Sequence, residues 1–256
     1  MLIAAVTPLV VLTVSWIGTN ERGDVDLSSF DPGRLIDDGD FYDGDAMSAD
    51  QIQDFFDDHI GTCLNEACLS VLHATLPPRA PVVSPATGAT ICQGYDGGDL
   101  SAAQIIDRLQ RACGISAKVL IVTLQKEQSL IDGAAAHAPT PERLAAAMGA
   151  HCPDTSPCDP GASGFAAQVV QGATDLVSYR ASRYMRQPGA HWIAYSPDPA
   201  CGGAEITIQN DATAALYNYT PYQPNSAALS AVWDHGDACS SYGNRNFALY
   251  WALWFR

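Results

Sequence analysis

Apolar positions recur at helical spacing along much of this chain, and most recurrences open on their own start signal. Ser48-Ala-Asp-Gln51 has the form of a capping box, and it predicts a helix through Ile52, Phe55 and Phe56. Ser101-Ala-Ala-Gln104 repeats the device and predicts a helix to about Ala112, ended by Gly114. A second helix follows at once over 116–131, with Ser116 as N-cap and Leu120, Leu124 and Ile131 as its core-facing stripe. The two should form a hairpin with Cys113 near the turn. Thr140-Pro-Glu predicts an N-cap with proline in the first helical position, and an Ala-rich helix ending near Met148. A long amphipathic helix is expected from Phe165 to Met185, carried by Phe165, Val169, Ala173, Leu176 and Val177. Ile206 and Ile208 alternate with Thr207 as a short strand, and Asp211 caps a helix through Ala215 and Leu216. Two last helices are expected over 227–232 and 246–254. Between these elements, residues 74–100 are rich in Pro, Gly and Thr and read as loop. The fold class is mainly α (α+β), with a small β element.

One polar residue breaks the pattern. Glu127 falls on the stripe of Leu120, Leu124 and Ile131, whereas Gln125 and Lys126 lie off it. An unpaired carboxylate on an apolar face is costly, so it should be protonated, paired or turned to a cleft. Desolvation raises a carboxyl pKa, which suits a general acid. The alternative is a structural glutamate bonded to backbone or to an arginine.

Composition narrows the partners. The net charge is −15 with only 13 Lys and Arg, and no basic run occurs, so nucleic acid and anionic membrane surfaces are poor partners. The acidic residues concentrate in 21–58. Asp38-Gly-Asp40 in that stretch lacks the glycine and closing glutamate of a calcium loop, and the stretch reads as a solvated acidic face. Eight cysteines fall as neighbours: Cys63/Cys68, Cys92/Cys113, Cys152/Cys158 and Cys201/Cys239. With no Cys-x-x-Cys, they predict a disulfide framework formed in an oxidising compartment. The apolar run Leu2–Ile17 is short for a membrane span and suits an export signal. No positive charge precedes it and no Ala-x-Ala follows, so it is either a leader whose start lies upstream or an uncleaved anchor. The expected organisation is a signal or anchor at 1–22, an acidic lead at 23–89 and a main domain at 90–256.

Several chemistries find no motif. There is no glycine-rich phosphate loop, no Gly-x-Ser-x-Gly and no His-x-x-x-His. His73, His137, His151, His191 and His235 are scattered and read as surface or structural residues. The remaining polar candidates are Asp154 and Asp159, in and just after the Cys152–Cys158 loop, which read either as turn formers or as carboxylates held beside a cleft. Tyr217, Tyr219 and Tyr222, among Asn and Gln, offer aromatic faces for sugar rings, or else a packed helix end. Gln168 opens the long helix and is a further candidate to line the same cleft.

The segment from Gly114 to Ile131, with Leu-Gln-Lys-Glu127, resembles the catalytic-glutamate helix of the lysozyme-like superfamily, in the manner of goose-type lysozymes and soluble lytic transglycosylases. Gly161-Ala-Ser-Gly-Phe-Ala-Ala-Gln168 resembles the Gly-Leu-Met-Gln segment of that superfamily, and Asn210 to Tyr222 its Tyr-containing helix along the glycan cleft. Gln128 stands between Glu127 and Ser129, where the superfamily has Ser directly after Glu. The same segments, with Cys-Pro-Asp154 and Gly243-Asn-Arg-Asn-Phe247, are similar to a group of exported actinobacterial proteins described as hemagglutinin-like or cell-wall-associated.

The resemblance implies a lysozyme-like, disulfide-stabilised helical domain and a secreted or envelope-bound glycosidase acting on the β-1,4 glycan of peptidoglycan. Glu127 is then the acid, with Asp154, Gln168, Tyr217, Tyr219 and Tyr222 binding substrate. A second carboxylate, Asp154 or Asp159, would direct hydrolysis; without one, attack by the substrate's own 6-hydroxyl would give an anhydro product. No metal or organic cofactor is required, and a monomer is expected. The alternatives are a non-catalytic cell-wall or glycan-binding module and a structural envelope protein.

Overall fold

The computed structural model describes residues 25–152 and 158–256. The expected 1–22 leader and Asp154 lie outside them. The helices are α1 (Asp38–Phe41), α2 (Ala49–Ile60), α3 (Ala102–Cys113), α4 (Ala117–Gln128), α5 (Ala134–His137), α6 (Pro141–Ala145), α7 (Phe165–Ala181), α8 (Asp211–Tyr219), α9 (Ser226–Ser230) and α10 (Gly243–Phe255). The strands are β1 (His73–Leu76), β2 (Val82–Val83), β3 (Thr90–Cys92), β4 (Gly98–Ser101), β5 (Gly189–Ala194) and β6 (Gly203–Ile208). The described chain is thus mainly helical with small antiparallel sheets.

Local chemistry sets many of the boundaries. Both capping boxes form: Ser48 accepts from the Gln51 N–H and Ser101 from the Gln104 N–H, with each glutamine side chain answering. Gly114 ends α3 in the left-handed conformation (φ 64, ψ 40), which turns the chain into α4. At the start of α8 the capping side chain is that of Asn210, one residue before Asp211. Ser116 does occupy the N-cap of α4, but its hydroxyl makes no cap bond and is buried without a partner.

Two expectations about α4 need correction. The helix stops at Gln128 because Ser129 takes a left-handed backbone (φ 53), so Leu130 and Ile131 belong to the following turn. Nor is α4 amphipathic. Every residue from Ala117 to Gln125 except Lys118 is buried, since α4 runs through the core against α3, α7 and α10. A helix that is apolar all round is a central helix.

Residues 74–100 are not featureless loop. β1 pairs with β4 from His73↔Ser101 to Leu76↔Gly98, and β2 pairs with β3. These strands are two to four residues long and prolines lie between them, so periodicity had too few positions to register. The long helix ends at Ala181, short of Met185, and β5 then pairs with β6 over six residue pairs.

The expected lead at 23–89 shares one core with residues 90–256. Leu35, Ile36, Phe41, Ile52, Phe56 and Ile60 are buried in the same cluster as α3, α4 and α7. Hydrogen bonds reinforce the joint: the Leu35 N–H donates to Thr213 Oγ1 at 3.0 Å, and Asn210 Nδ2 donates to the Ile36 carbonyl at 2.7 Å.

All eight cysteines pair as neighbours: Cys63–Cys68, Cys92–Cys113, Cys152–Cys158 and Cys201–Cys239. No described helix is long and apolar enough to cross a membrane. Cys201–Cys239 closes a separation of 38 residues and Cys152–Cys158 one of 6. Loop-closure entropy gives about 4 kcal/mol for the first and about 2 kcal/mol for the second. Paired serine substitutions should therefore lower the urea-unfolding free energy more at 201/239 than at 152/158. The reverse order would place the effect in native-state contacts.

Candidate functional site

Glu127 lies in the last turn of α4, where the helix leaves the core. Its side chain is 27% exposed, whereas that of Lys126 is only 1% exposed. Lys126 Nζ donates to Glu127 Oε1 and, at 3.1 Å, to Thr220 Oγ1. It also lies 5.4 Å from the centre of the Tyr219 ring. Of the three states open to such a carboxylate, pairing is the one observed. The partner is the neighbouring lysine, which helical spacing had placed off the apolar stripe. In a helix buried on every side, that spacing does not separate inside from outside.

Gly149, in the turn that follows Met148, lies against Glu127. Gly149 has φ +69, and a Cβ on it would stand 2.9 Å from Glu127 Oε2. Glycine is thus needed twice, for its backbone and for the close approach of the carboxylate. Gln168 fixes this segment from within the core. It is fully buried, accepts from the N–H groups of Met148 and Ala150 at 3.1 Å each, and donates to the Ala150 and Ala162 carbonyls at 2.7 Å. Its amide is spent on backbone and leaves nothing for a ligand. Tyr219 adds a further bond, from its hydroxyl to the Met148 carbonyl at 2.6 Å.

The other tyrosines divide. Tyr217 is wholly buried in the core and its hydroxyl has no partner, so it presents no face to a substrate. Tyr222 is half-buried, and its carbonyl, like that of Thr220, accepts from Asn244 Nδ2 at 2.9 Å. The Gly243-Asn-Arg-Asn-Phe run is a staple of this kind. Arg245 donates to the carbonyls of Ala228, Ala231 and Asp234. Asp159 is exposed and accepts from the Gly161 N–H at 2.8 Å, capping a short 3-10 turn.

A second carboxylate enters that the sequence reading missed. Asp175, on α7, accepts from Gln171 Nε2 at 2.7 Å, and its Oδ2 lies 3.6 Å from His151 Nε2. Burial pushes its carboxyl above the ordinary aspartate value, against the hydrogen bond from Gln171 and the charges of His151 and Arg79. Both acids act on Tyr219. Its hydroxyl is held well above its usual pKa, first by burial, then by Glu127, then by Asp175 and Tyr179. The missed signal was the run Gln168, Gln171, Asp175: polar residues at i, i+3 and i+7 along the long helix.

A cleft of about 510 Å³ adjoins this cluster, lined by Pro78, Arg79, Tyr95, Gly164, Phe165 and Gln171 among others. Gln171 is shared between the cleft wall and Asp175. A second cleft of about 310 Å³ lies at the end of α4, beside Gln125, Ser129, Asp132 and Arg245. Glu127 lines neither. Among the described residues, no group of three or more His, Cys, Asp and Glu side chains is placed to hold a metal ion. No protein-family model, curated protein or solved structure matches this chain, so its chemistry is read from its own geometry.

Two predictions follow from this geometry. Gly149→Ala should destabilise more than Gly114→Ala in urea unfolding. Both positions have positive φ, worth about 1–2 kcal/mol to an L-residue, but nothing lies within 4 Å of the Gly114 position. Equal losses would mean that the contact with Glu127 carries no strain. Asp175→Asn should raise Tm at neutral pH. A carboxyl whose folded pKa is raised favours folding while protonated and loses that contribution as pH rises, so the gain should vanish below the ordinary aspartate range. A gain independent of pH would show that ionisation is not its source.

Proposed function

We propose that this chain is an exported glycosidase with a lysozyme-like helical domain, cleaving the β-1,4 glycan of peptidoglycan with Glu127 as general acid. The observation that carries the reading is the placement of Glu127. It is a partly exposed carboxylate at the exit of a buried helix, its Oε1 held by Lys126 and its Oε2 against the backbone of Gly149. A group locked in this way has its orientation set before substrate arrives. Glu127, once it has taken up a proton from solvent, gives it to the leaving glycosidic oxygen as the C1–O bond breaks, and an oxocarbenium-like centre forms at C1. Tyr219 and Tyr222 are the tyrosines with surface left for the glycan; Gln168 and Tyr217 support the site from the core. The four disulfides favour an oxidising compartment, in keeping with export.

A second reading has its own support. The Lys126–Glu127 pair satisfies both groups without a substrate, as a non-catalytic glycan-binding module would require.

Mass spectrometry of soluble products from purified peptidoglycan, with wild type beside Glu127→Gln, separates the two. For the enzyme, Glu127→Gln should lower the rate by about 10²–10⁴-fold while leaving glycan binding in place. Binding without products from the folded wild-type protein would favour the module. Products undiminished in Glu127→Gln would remove Glu127 from the acid role.

A further inference from the structure

We infer that His151 takes the proton from the attacking water in glycan hydrolysis, and that Asp175 is the positioning residue that orients its ring. The assignment rests on the glycan-cleaving reading of Glu127.

Exposure divides the pair by role. The Asp175 side chain is 20% exposed and that of His151 49% exposed. A buried carboxylate behind an accessible imidazole is the order in which an orienting group stands behind a base. With Nε2–H turned to Asp175 Oδ2, the neutral ring leaves Nδ1 as acceptor. The present contact of 3.6 Å is longer than a hydrogen bond, and catalytic contacts commonly tighten only when substrate binds. Asp175 is itself held by Gln171 at 2.7 Å. The charged and titratable groups around the pair are Arg79, Tyr179 and Tyr219, with Glu127 acting on Tyr219 as well.

The backbone aims His151. Its φ is 55, a left-handed value found in a few per cent of non-glycine residues, which histidine adopts more readily than most. The strained residue is pinned from both sides. Gln168 holds Ala150, the Cys152–Cys158 disulfide follows, and the His151 carbonyl accepts from the Asp159 N–H at 3.0 Å. Strain retained in an over-determined segment points to function more than to packing.

The same segment links base to acid. Gly149 touches the Glu127 carboxylate, and His151 is two residues further on, at most about 7 Å along the chain. The step balances. The water oxygen bonds to C1 as the C1–O bond breaks, its electron pair going to the leaving oxygen, which takes the proton of Glu127. The water proton goes to His151 Nδ1 and returns to Glu127 through solvent. The net change is addition of one water across the glycosidic bond.

The test uses the full oxidised chain on purified peptidoglycan, with products weighed for wild type, His151→Ala, His151→Gln, Asp175→Asn and Glu127→Gln. Sodium azide is added in parallel as an external nucleophile. Wild type should give products heavier by one water. His151→Ala should lower kcat by about 10²–10⁴-fold with KM little changed, and azide should restore turnover as glycosyl azide. Asp175→Asn should fall between wild type and His151→Ala, without loss of Tm. Azide should not restore Glu127→Gln. His151→Gln keeps a polar side chain in place should the alanine variant not fold. Wild-type kcat and products in the folded His151 variants would overturn the assignment, as would anhydro products alone from wild type, since no water is then added. No products from wild type would remove the glycan-cleaving reading, and the His151 role with it. That outcome is distinct because the unsubstituted protein is the one that is silent.

Discussion

Buried glutamine amides hold the irregular parts of this molecule in place. Backbone groups removed from water need partners, and the turns between helices have no ladder to supply them. Gln168 serves the 148–150 segment. Gln125 does the same for the turn after α4, accepting from the Ile131 and Asp132 N–H groups at 2.9 Å each. Gln110 joins the α3–α4 turn to Met47, and Gln223 donates to the carbonyls of Ile193 and Ala204 in the β5–β6 hairpin. All four are buried. One amide both donates and accepts, so a single side chain satisfies a turn where a hydroxyl or a carboxylate would leave part of it unpaired. The candidate site depends on the Gln168 clamp most directly. Remove it and Gly149 loses its place against Glu127, Tyr219 loses the fixed carbonyl of Met148, and His151 loses the rigid neighbour that keeps its backbone left-handed.

The charges of the site are arranged against stability. Lys126 is almost fully buried, and its ammonium is compensated by Glu127, the Thr220 hydroxyl and the face of Tyr219. Buried pairs of this kind roughly break even against apolar packing. Asp175 goes further, since burial disfavours its ionised form while Gln171 and nearby positive charge only partly offset this. A fold built for stability alone would place an apolar or amide residue there. Retaining such groups around one short backbone segment is the trade expected where function opposes stability.

The sequence made the helices legible wherever a polar cap met an apolar stripe. The boxes at Ser48 and Ser101, the cap at Thr140 and the cysteine pairing by proximity all appear in the structure. Legibility failed where a rule lost its contrast. In α4 nearly every position is inside, so the stripe assigned to Glu127 and denied to Lys126 had no physical meaning, although the polar break did mark a special residue. The strands of 73–101 were too short for a period of two, and β5 carries exposed Trp192 beside buried Ile193 with no apolar alternation to mark it. Gln168 drew attention as a polar group at the start of a core helix, and Tyr217 and Tyr219 as aromatic faces among amides. That signal does not say whether a side chain faces outward to a ligand or inward to backbone, and only packing decided it. Asp175 and His151 were passed over because their contact joins residues 24 apart in the chain, and one of them sits in a helix that reads as core.

The overall charge bears on how such a site would meet an anionic wall. A chain of net −15 repels it at long range, and at physiological salt that repulsion is screened beyond about 8 Å. The acidic excess is densest in the lead, where Asp40, Asp43, Asp45, Asp50, Asp54, Asp57 and Asp58 leave their side chains at the surface or partly so. The cations of the candidate site are drawn inward instead: Lys126 beneath Tyr219, and Arg79 donating to Thr174 Oγ1 at 3.0 Å at the edge of the adjoining cleft. Long-range attraction is therefore absent, and whatever selects the ligand acts within contact distance. On the proposed reading, aromatic faces and a few inward cations would discriminate a glycan by shape and hydrogen bonding, where a basic surface would bind any polyanion. In the proposed glycosidase the same arrangement would release product without having to overcome a strong field, whereas an adhesin would gain from that field.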